Sequence, residues 1–251
     1  MAQDMGAGVF GEAARFMRRV VFLKTDTIMN ISSITTFWKR LTGRGGFQVD
    51  EHFTRIYEKN LFKGGESRSG KGSSLDQTTI VRRELPALLE RHGVESFLDA
   101  PCGDCHWITE LDWTRIRYTG ADVVGALIEK NRVRLTGRPM TFVVADLCKD
   151  ELPRADVIFC RDCWVHLDYA QIRACLENFR RSGATYLLTT TFTGRTSNRD
   201  LRTAIWRPLN LQAAPFNFPT PLEVLVEGCT EEGGQYADKA LGLWMIADLP
   251  V

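Results

Sequence analysis

Three acidic residues stand where short apolar runs stop. Asp99 lies at the end of Ser96–Ala100, Asp122 at the end of Tyr118–Val123, and Asp146 directly follows Met140–Ala145. Apolar, β-branched-rich runs of this length read as strands. After the first comes Pro101-Cys102-Gly103-Asp104-Cys105, a tight turn in which Gly103 lets the backbone approach a ligand closely. In an open parallel sheet, ligands bind outside the carboxyl ends of the strands. There Asp122, 23 residues after Asp99, can accept both hydroxyls of a ribose, and Asp146 can reach an adenine amino group. A fourth run, Ala155–Cys160, leads into Arg161-Asp162-Cys163-Trp164-Val165-His166, which offers a carboxylate and an imidazole for proton chemistry.

The elements that position these residues alternate in type. Val81, Leu85, Leu88 and Leu89 recur at helical spacing, with Gly93 placed to end that helix. Ala126–Arg134 follows the second strand as a helix. Asp168 with Gln171 spells a capping box before the stripe Ile172, Cys175, Leu176 and Phe179. Tyr186–Phe192 is a fifth strand. Leu222–Val226 and Leu241–Ile246 are predicted as an antiparallel hairpin at the sheet edge, joined by the polar TEEGGQYADK. Alternating strands and helices define βαβ units on a mostly parallel sheet.

Composition bounds the function. The 251 residues are 44% hydrophobic and 25% charged, with 32 Lys and Arg against 31 Asp and Glu, a net charge of +1. That balance lacks the clustered basic charge of a general nucleic-acid binder, and no apolar run is long enough to span a bilayer. Residues 9–24 read as an amphipathic helix with Arg15, Arg18 and Arg19 opposite its apolar stripe, and a second apolar patch surrounds Phe37 and Trp38. Seven cysteines, an odd number without a secretory leader, fit free thiols in a reducing cytoplasm.

Taken together, Asp99, Gly103, Asp122 and Asp146 resemble the pattern of class I S-adenosylmethionine-dependent methyltransferases. Pro101 and Cys105 replace two of that pattern's glycines. The resemblance covers about residues 78–250 and implies a Rossmann-like, doubly wound, mostly parallel seven-stranded sheet. It implies S-adenosylmethionine as cofactor, held by Asp99, Ala100, Pro101, Gly103, Asp122, Val123, Asp146, Leu147 and Arg161. The segments SGKGSSLDQT, LDAPCGD, GADVV, CRDCWVHL, LLTTTF and WRPLNL are further similar to bacterial sugar O-methyltransferases, such as those that cap fucose in nodulation signals or rhamnose in glycans. In class I enzymes the residues nearest the transferred methyl follow the fourth strand, so His166 is the expected base and Asp162 its orienting carboxylate; the alternatives for His166 are a hydrogen bond near the cap of the next helix and a substrate contact without proton transfer.

Other readings compete for some of these residues. Cys102-x-x-Cys105 and Cys160-x-x-Cys163-x-x-His166 carry zinc spacing, yet they occupy the turns that close cofactor approach already requires; a substrate-side magnesium on Asp162 is a further alternative. No metal is expected. Gly65-x-x-x-x-Gly70-Lys71-Gly72 nearly spells a P-loop but lacks the following Ser or Thr and a preceding strand. Residues 64–74 are either a plain linker or a lid in which Arg68, Lys71, Ser73 and Gln77 reach the cofactor or acceptor. After the fifth strand, Asn198, Trp206, Arg207 and Asn210 suit sugar recognition, an aromatic face with polar neighbours. Alternatively, Trp206, Leu209 and Phe216 close a long loop against the core.

The expectation is therefore an N-terminal helical extension and Gly/Ser-rich lid over residues 1–76, then a methyltransferase domain over 77–251. It would be a cytoplasmic enzyme methylating a hydroxyl of a sugar in a surface or secreted glycan, with its oligomeric state open. A natural-product O-methyltransferase and a catalytically silent S-adenosylmethionine-binding partner subunit are the alternatives.

Overall fold

Side chains of successive strand residues point to opposite faces of a sheet, and in this chain both faces are apolar. Leu98, Ile158, Cys160 and Leu187 enter one hydrophobic cluster, while their neighbours Phe97, Val157, Phe159 and Leu188 enter a second. Strands buried on both faces belong to the middle of a parallel sheet covered by helices on each side. The computed structural model, which describes residues 49–201 and 206–250, shows that arrangement. All described residues belong to one compact unit, Phe47–Val251. The expected amphipathic stretch at 9–24 and the patch around Phe37 and Trp38 lie outside the described residues.

The chain runs α1 (Val49–Glu58), α2 (Thr79–Arg91), β1 (Ser96–Asp99), β2 (Arg117–Asp122), α3 (Gly125–Arg134), β3 (Met140–Val144), β4 (Val157–Cys160), α4 (Tyr169–Arg181), β5 (Tyr186–Phe192), β6 (Glu223–Val226) and β7 (Lys239–Met245). The seven strands lie in the order β3-β2-β1-β4-β5-β7-β6. The first five pair in parallel and β7 pairs antiparallel with both β5 and β6. The expected seven-stranded, doubly wound sheet and its closing hairpin are present, with β7 inserted between β5 and the edge strand β6.

Local signals behave as their chemistry requires. The Asp168 carboxylate accepts from the Gln171 N–H at 2.8 Å and the Gln171 side chain accepts from the Asp168 N–H at 3.0 Å, so the capping box starts α4. Gly93, at φ 61°, takes the left-handed turn that ends α2. α4 covers one face of the sheet through Ile172, Cys175, Leu176 and Phe179, and α2 the other through Val81, Leu85, Leu88 and Leu89. In β7, Gly242 is required by packing, because a Cβ there would come within 2.2 Å of the Trp244 ring. The long connection after β5 folds back onto the core. Leu209, Leu211, Phe216 and Phe218 are all buried in it.

Losing an N-cap side chain exposes an unpaired N–H in the first helical turn. Asp168→Ala is expected to lower the unfolding free energy by about 0.5–2 kcal/mol, read as a lower urea midpoint at unchanged slope. An unchanged midpoint would mean that the capping box carries no net stability.

Candidate active site

The carboxyl ends of β1 to β4 open into a cleft with about 1130 Å³ of empty space, part of it open to solvent. Asp99, Pro101, Gly103, Asp122, Val123 and Asp146 line it together with Leu147 and Arg161, whereas Ala100 is buried beneath the turn. The turn after β1 is pinned to β2. Cys102 N–H donates to the Ala121 carbonyl at 2.8 Å, and Gly103, at φ 53°, donates to Asp122 Oδ2 at 3.1 Å. Val124 N–H donates to Asp122 Oδ1 at 3.0 Å. Burial pushes the Asp122 pKa up to about 6, although those backbone donors favour its charged form. Asp99, pushed up to about 7 by burial, accepts from the Tyr118 hydroxyl at 2.5 Å. Asp146 Oδ1 accepts from Cys148 N–H at 2.9 Å, and its other oxygen is 3.1 Å from Lys149 Nζ.

Two elements close over this cleft. Val49, Phe53, Ile56 and Tyr57 lie at spacings of four, three and one along α1 and all face it. The Gly/Ser-rich strap follows, and Asp104 of the β1 turn latches it. Ser67 Oγ donates to Asp104 Oδ1 at 2.8 Å and Arg68 N–H to Oδ2 at 2.7 Å. Arg68 lines the cleft, its guanidinium donating to the Tyr57 carbonyl at 3.0 Å. Gln77 does not reach the cleft: its side chain is joined to Thr230 at 2.6 Å.

Beyond β4 the chain makes a sharp turn at Asp162, whose φ of 53° is a left-handed conformation that Asp tolerates better than most residues. The turn directs Asp162 into a buried charge cluster. Arg161 pairs with Glu227 at 2.6 Å and with Asp162 at 3.3 Å, and Lys239 Nζ is 2.6 Å from Asp162 and 3.3 Å from Glu227. Burial alone would raise the Asp162 pKa, but Lys239 and Arg161 outweigh it and hold the carboxyl down to about 2. Arg161 also lies over the Trp107 ring at 5.5 Å and donates to the Gly72 carbonyl at 2.9 Å. His166 ends a short turn of 3₁₀ helix, with its ring 4.9 Å from that of Phe62 and 6.3 Å from that of Phe53.

A second cavity, with about 1110 Å³ of empty space, adjoins the first. Asp162 and His166 line both. Of the residues expected to read an acceptor, Trp206 lines this second cavity, its ring 4.9 Å from Tyr236 and 5.8 Å from Phe192. Arg207, Asn198 and Asn210 are engaged in holding the loop. Arg207 is buried and donates to the carbonyls of Trp164 and Leu167. Asn198 bridges the Asn210 and Ala214 carbonyls at 2.8 and 3.0 Å, and Asn210 donates to the Arg195 carbonyl at 2.7 Å. Both readings of this segment thus apply to different residues: Trp206 faces a cavity, and Leu209 and Phe216 close the loop against the core.

The cysteine pairs are packed apart. Cys102 and Cys105 direct their thiols at backbone carbonyls of their own turn, at 3.5–3.9 Å, and burial raises the Cys102 pKa. Among the described residues, no three His, Cys, Asp or Glu side chains group in a way that could hold a metal ion. No helix among them is long and apolar enough to cross a membrane.

A family model described as a methyltransferase domain matches residues 97–183, which run from β1 to the end of α4. No curated protein matches the chain in sequence. The fold is similar to the methyltransferase domain of bacterial CtHen1, at 14% identity over 68% of this chain and 100% of that one, with a TM-score of 0.51. It is also similar to a Burkholderia thailandensis 1,6-didemethyltoxoflavin N1-methyltransferase solved with its substrate and S-adenosylhomocysteine (14%, 79% and 91%, 0.53). Human N-acetylserotonin methyltransferase in complex with S-adenosylmethionine is a third (13%, 83% and 61%, 0.52). The matched segment and the sheet order are those of a class I methyltransferase fold.

The cleft fits S-adenosylmethionine on chemical grounds. Two carboxylates, Asp122 and Asp146, stand beside apolar walls at Val123 and Leu147, and Gly103 keeps the turn free of a side chain. Sequence reasoning missed α1, Glu227 and Lys239. The i, i+4, i+7, i+8 stripe of α1 was a signal for the first, while nothing local marks the other two.

Asp122 presents two carboxylate oxygens at the cleft, and hydrogen bonds to charged groups are worth about 1.5–3 kcal/mol. Calorimetric titration with S-adenosylhomocysteine should therefore show Asp122→Ala binding about 10- to 150-fold more weakly. Because the acceptor is the ionised form, wild-type affinity should fall as pH drops through about 6, a step that the variant lacks. Equal affinities would remove Asp122 from the ribose site.

Proposed function

We propose that this protein transfers the methyl group of S-adenosylmethionine to a hydroxyl of a sugar in a surface or secreted glycan. The observation that carries this reading is that Asp162 and His166 border both cavities, so that an acceptor beside Trp206 and a cofactor beside Asp122 meet at one carboxylate and one imidazole.

In this reading Asp122 accepts the ribose hydroxyls, Asp146 accepts from the adenine amino group, and Arg161 and Arg68 border the methionine end. When bound, S-adenosylmethionine supplies an electrophilic methyl carbon on a sulfonium. The acceptor oxygen bonds to that carbon as the carbon–sulfur bond breaks and its electron pair stays on sulfur. A ring nitrogen of His166 takes the hydroxyl proton. Asp162, held down to about 2, stays ionised and orients the acceptor instead of taking the proton. Phe53, Phe62 and the strap shield this junction from water, which strengthens its electrostatics. Positioning supplies the larger share of the rate and the base a smaller one. Trp206 and Tyr236 offer aromatic surface for the C–H groups of a sugar ring. Free thiols at all seven cysteines suit a reducing compartment such as the cytoplasm.

The test is formation of S-adenosylhomocysteine with methyl glycosides of rhamnose and fucose, set against small aromatic hydroxyl acceptors. Turnover only with the aromatic acceptors would replace the sugar reading. Binding of S-adenosylmethionine without any turnover would point to a silent partner subunit. With a working acceptor, His166→Ala should lower kcat by about 10²-fold while leaving S-adenosylhomocysteine affinity intact. Near-normal turnover from pH 6 to 9 in that variant would confine His166 to packing between Phe53 and Phe62.

A further inference from the structure

Lys239 opens β7, the strand held between β5 and β6, and is almost fully buried at 4% exposure. Taking an ammonium out of water costs several kcal/mol, so this side chain stands only because Asp162 and Glu227 flank it. Buried ion clusters are weak devices for stability, since apolar residues of similar volume serve as well or better. Perturbed charges at a cleft are instead a mark of function, and this cluster borders the acceptor cavity, which both Asp162 and Lys239 line.

The arrangement is specific. A carboxylate oxygen and an ammonium nitrogen, 2.6 Å apart, present a fixed acceptor next to a fixed donor. An ammonium has three N–H groups; two are directed at Asp162 and Glu227, leaving the third for a ligand. The strap approaches this pair through a residue without a side chain. A Cβ on Gly72 would lie 3.2 Å from Glu231 Oε2, 3.4 Å from Asp162 Oδ2 and 3.6 Å from Lys239 Nζ, so the strap backbone passes directly against the pair.

Resting on the sugar reading above, we propose that Lys239 and Asp162 together read a vicinal diol. The hydroxyl to be methylated gives its proton to His166, while Asp162 accepts from the hydroxyl on the neighbouring carbon and Lys239 donates to that hydroxyl's oxygen. The preferred acceptor is then a sugar with two adjacent free hydroxyls. An acceptor lacking the neighbour leaves a buried ammonium donor unpaired, which is how hydrogen-bonding sites reject analogues. One charge-assisted hydrogen bond sets the expected discrimination at about 10- to 150-fold in kcat/KM.

The experiment compares wild-type enzyme on methyl glycosides of rhamnose and fucose with their monodeoxy analogues, each lacking one hydroxyl beside the methylated position. The analogue lacking the hydroxyl read by Lys239 should fall by that factor. Lys239→Met keeps the aliphatic stem and removes the donor. It should lower kcat/KM for the diol to the level of the deoxy analogue, with S-adenosylhomocysteine affinity unchanged. Wild-type enzyme turning over every analogue as well as its parent would overturn the proposal, as would Lys239→Met retaining the discrimination. If Lys239→Met does not fold, the wild-type comparison alone decides. Failure of wild-type enzyme to methylate any sugar would overturn the sugar reading itself, a different outcome from methylation without discrimination.

Discussion

One cluster sets the rest of this architecture: the buried Arg161, Lys239 and Glu227 with the partly exposed Asp162. Arg161 and Asp162 come from the end of β4, Glu227 from just beyond β6 and Lys239 from the start of β7. Removing one member strands the others as uncompensated buried charges, a cost of about 3–5 kcal/mol. The antiparallel hairpin is therefore tied to the parallel half of the sheet by electrostatics as well as by its hydrogen-bond ladder. Through the Gly72 carbonyl, the same cluster also holds the strap. Its position, between a cleft suited to a nucleotide and a cavity walled by Trp206 and Tyr236, makes it the junction of the two.

The strap has a second anchor at Asp104, inside the turn that approaches the cofactor cleft. One segment thus connects both cavities, its Ser67 and Arg68 on the β1 turn and its Gly72 on the charge cluster. A Cβ on Gly103 would come within 2.1 Å of Ser69 Oγ, so the turn and the strap also fit by shape. Order at the β1 turn and order over the second cavity are linked by short covalent distance.

The elements legible in the sequence were those whose signals are local. Short, continuous apolar runs marked β1, β4 and β5, the Asp168–Gln171 pair marked the start of α4, and acidic residues at three strand ends marked the cleft. What escaped depends on distant partners. Lys239 and Glu227 look like ordinary surface charges until the sheet closes and brings them to Arg161 and Asp162, 66 and 77 residues away in sequence. Arg207, Asn198 and Asn210 have the chemistry of sugar contacts, but backbone carbonyls claimed them first, those of Trp164 and Leu167 for Arg207 and those of the long loop for the two asparagines. Gln77 was claimed in the same way by Thr230. α1 is ten residues long, and a helix that short is stabilised by what it covers more than by its own sequence.

The most direct measurement is a crystal structure of the protein with S-adenosylhomocysteine bound. The ribose is expected at Asp122, the adenine at Asp146 and the sulfur facing the side where Asp162 and His166 border the second cavity. A nucleoside seated in the Trp206 cavity, or a sulfur turned away from Asp162 and His166, would contradict it.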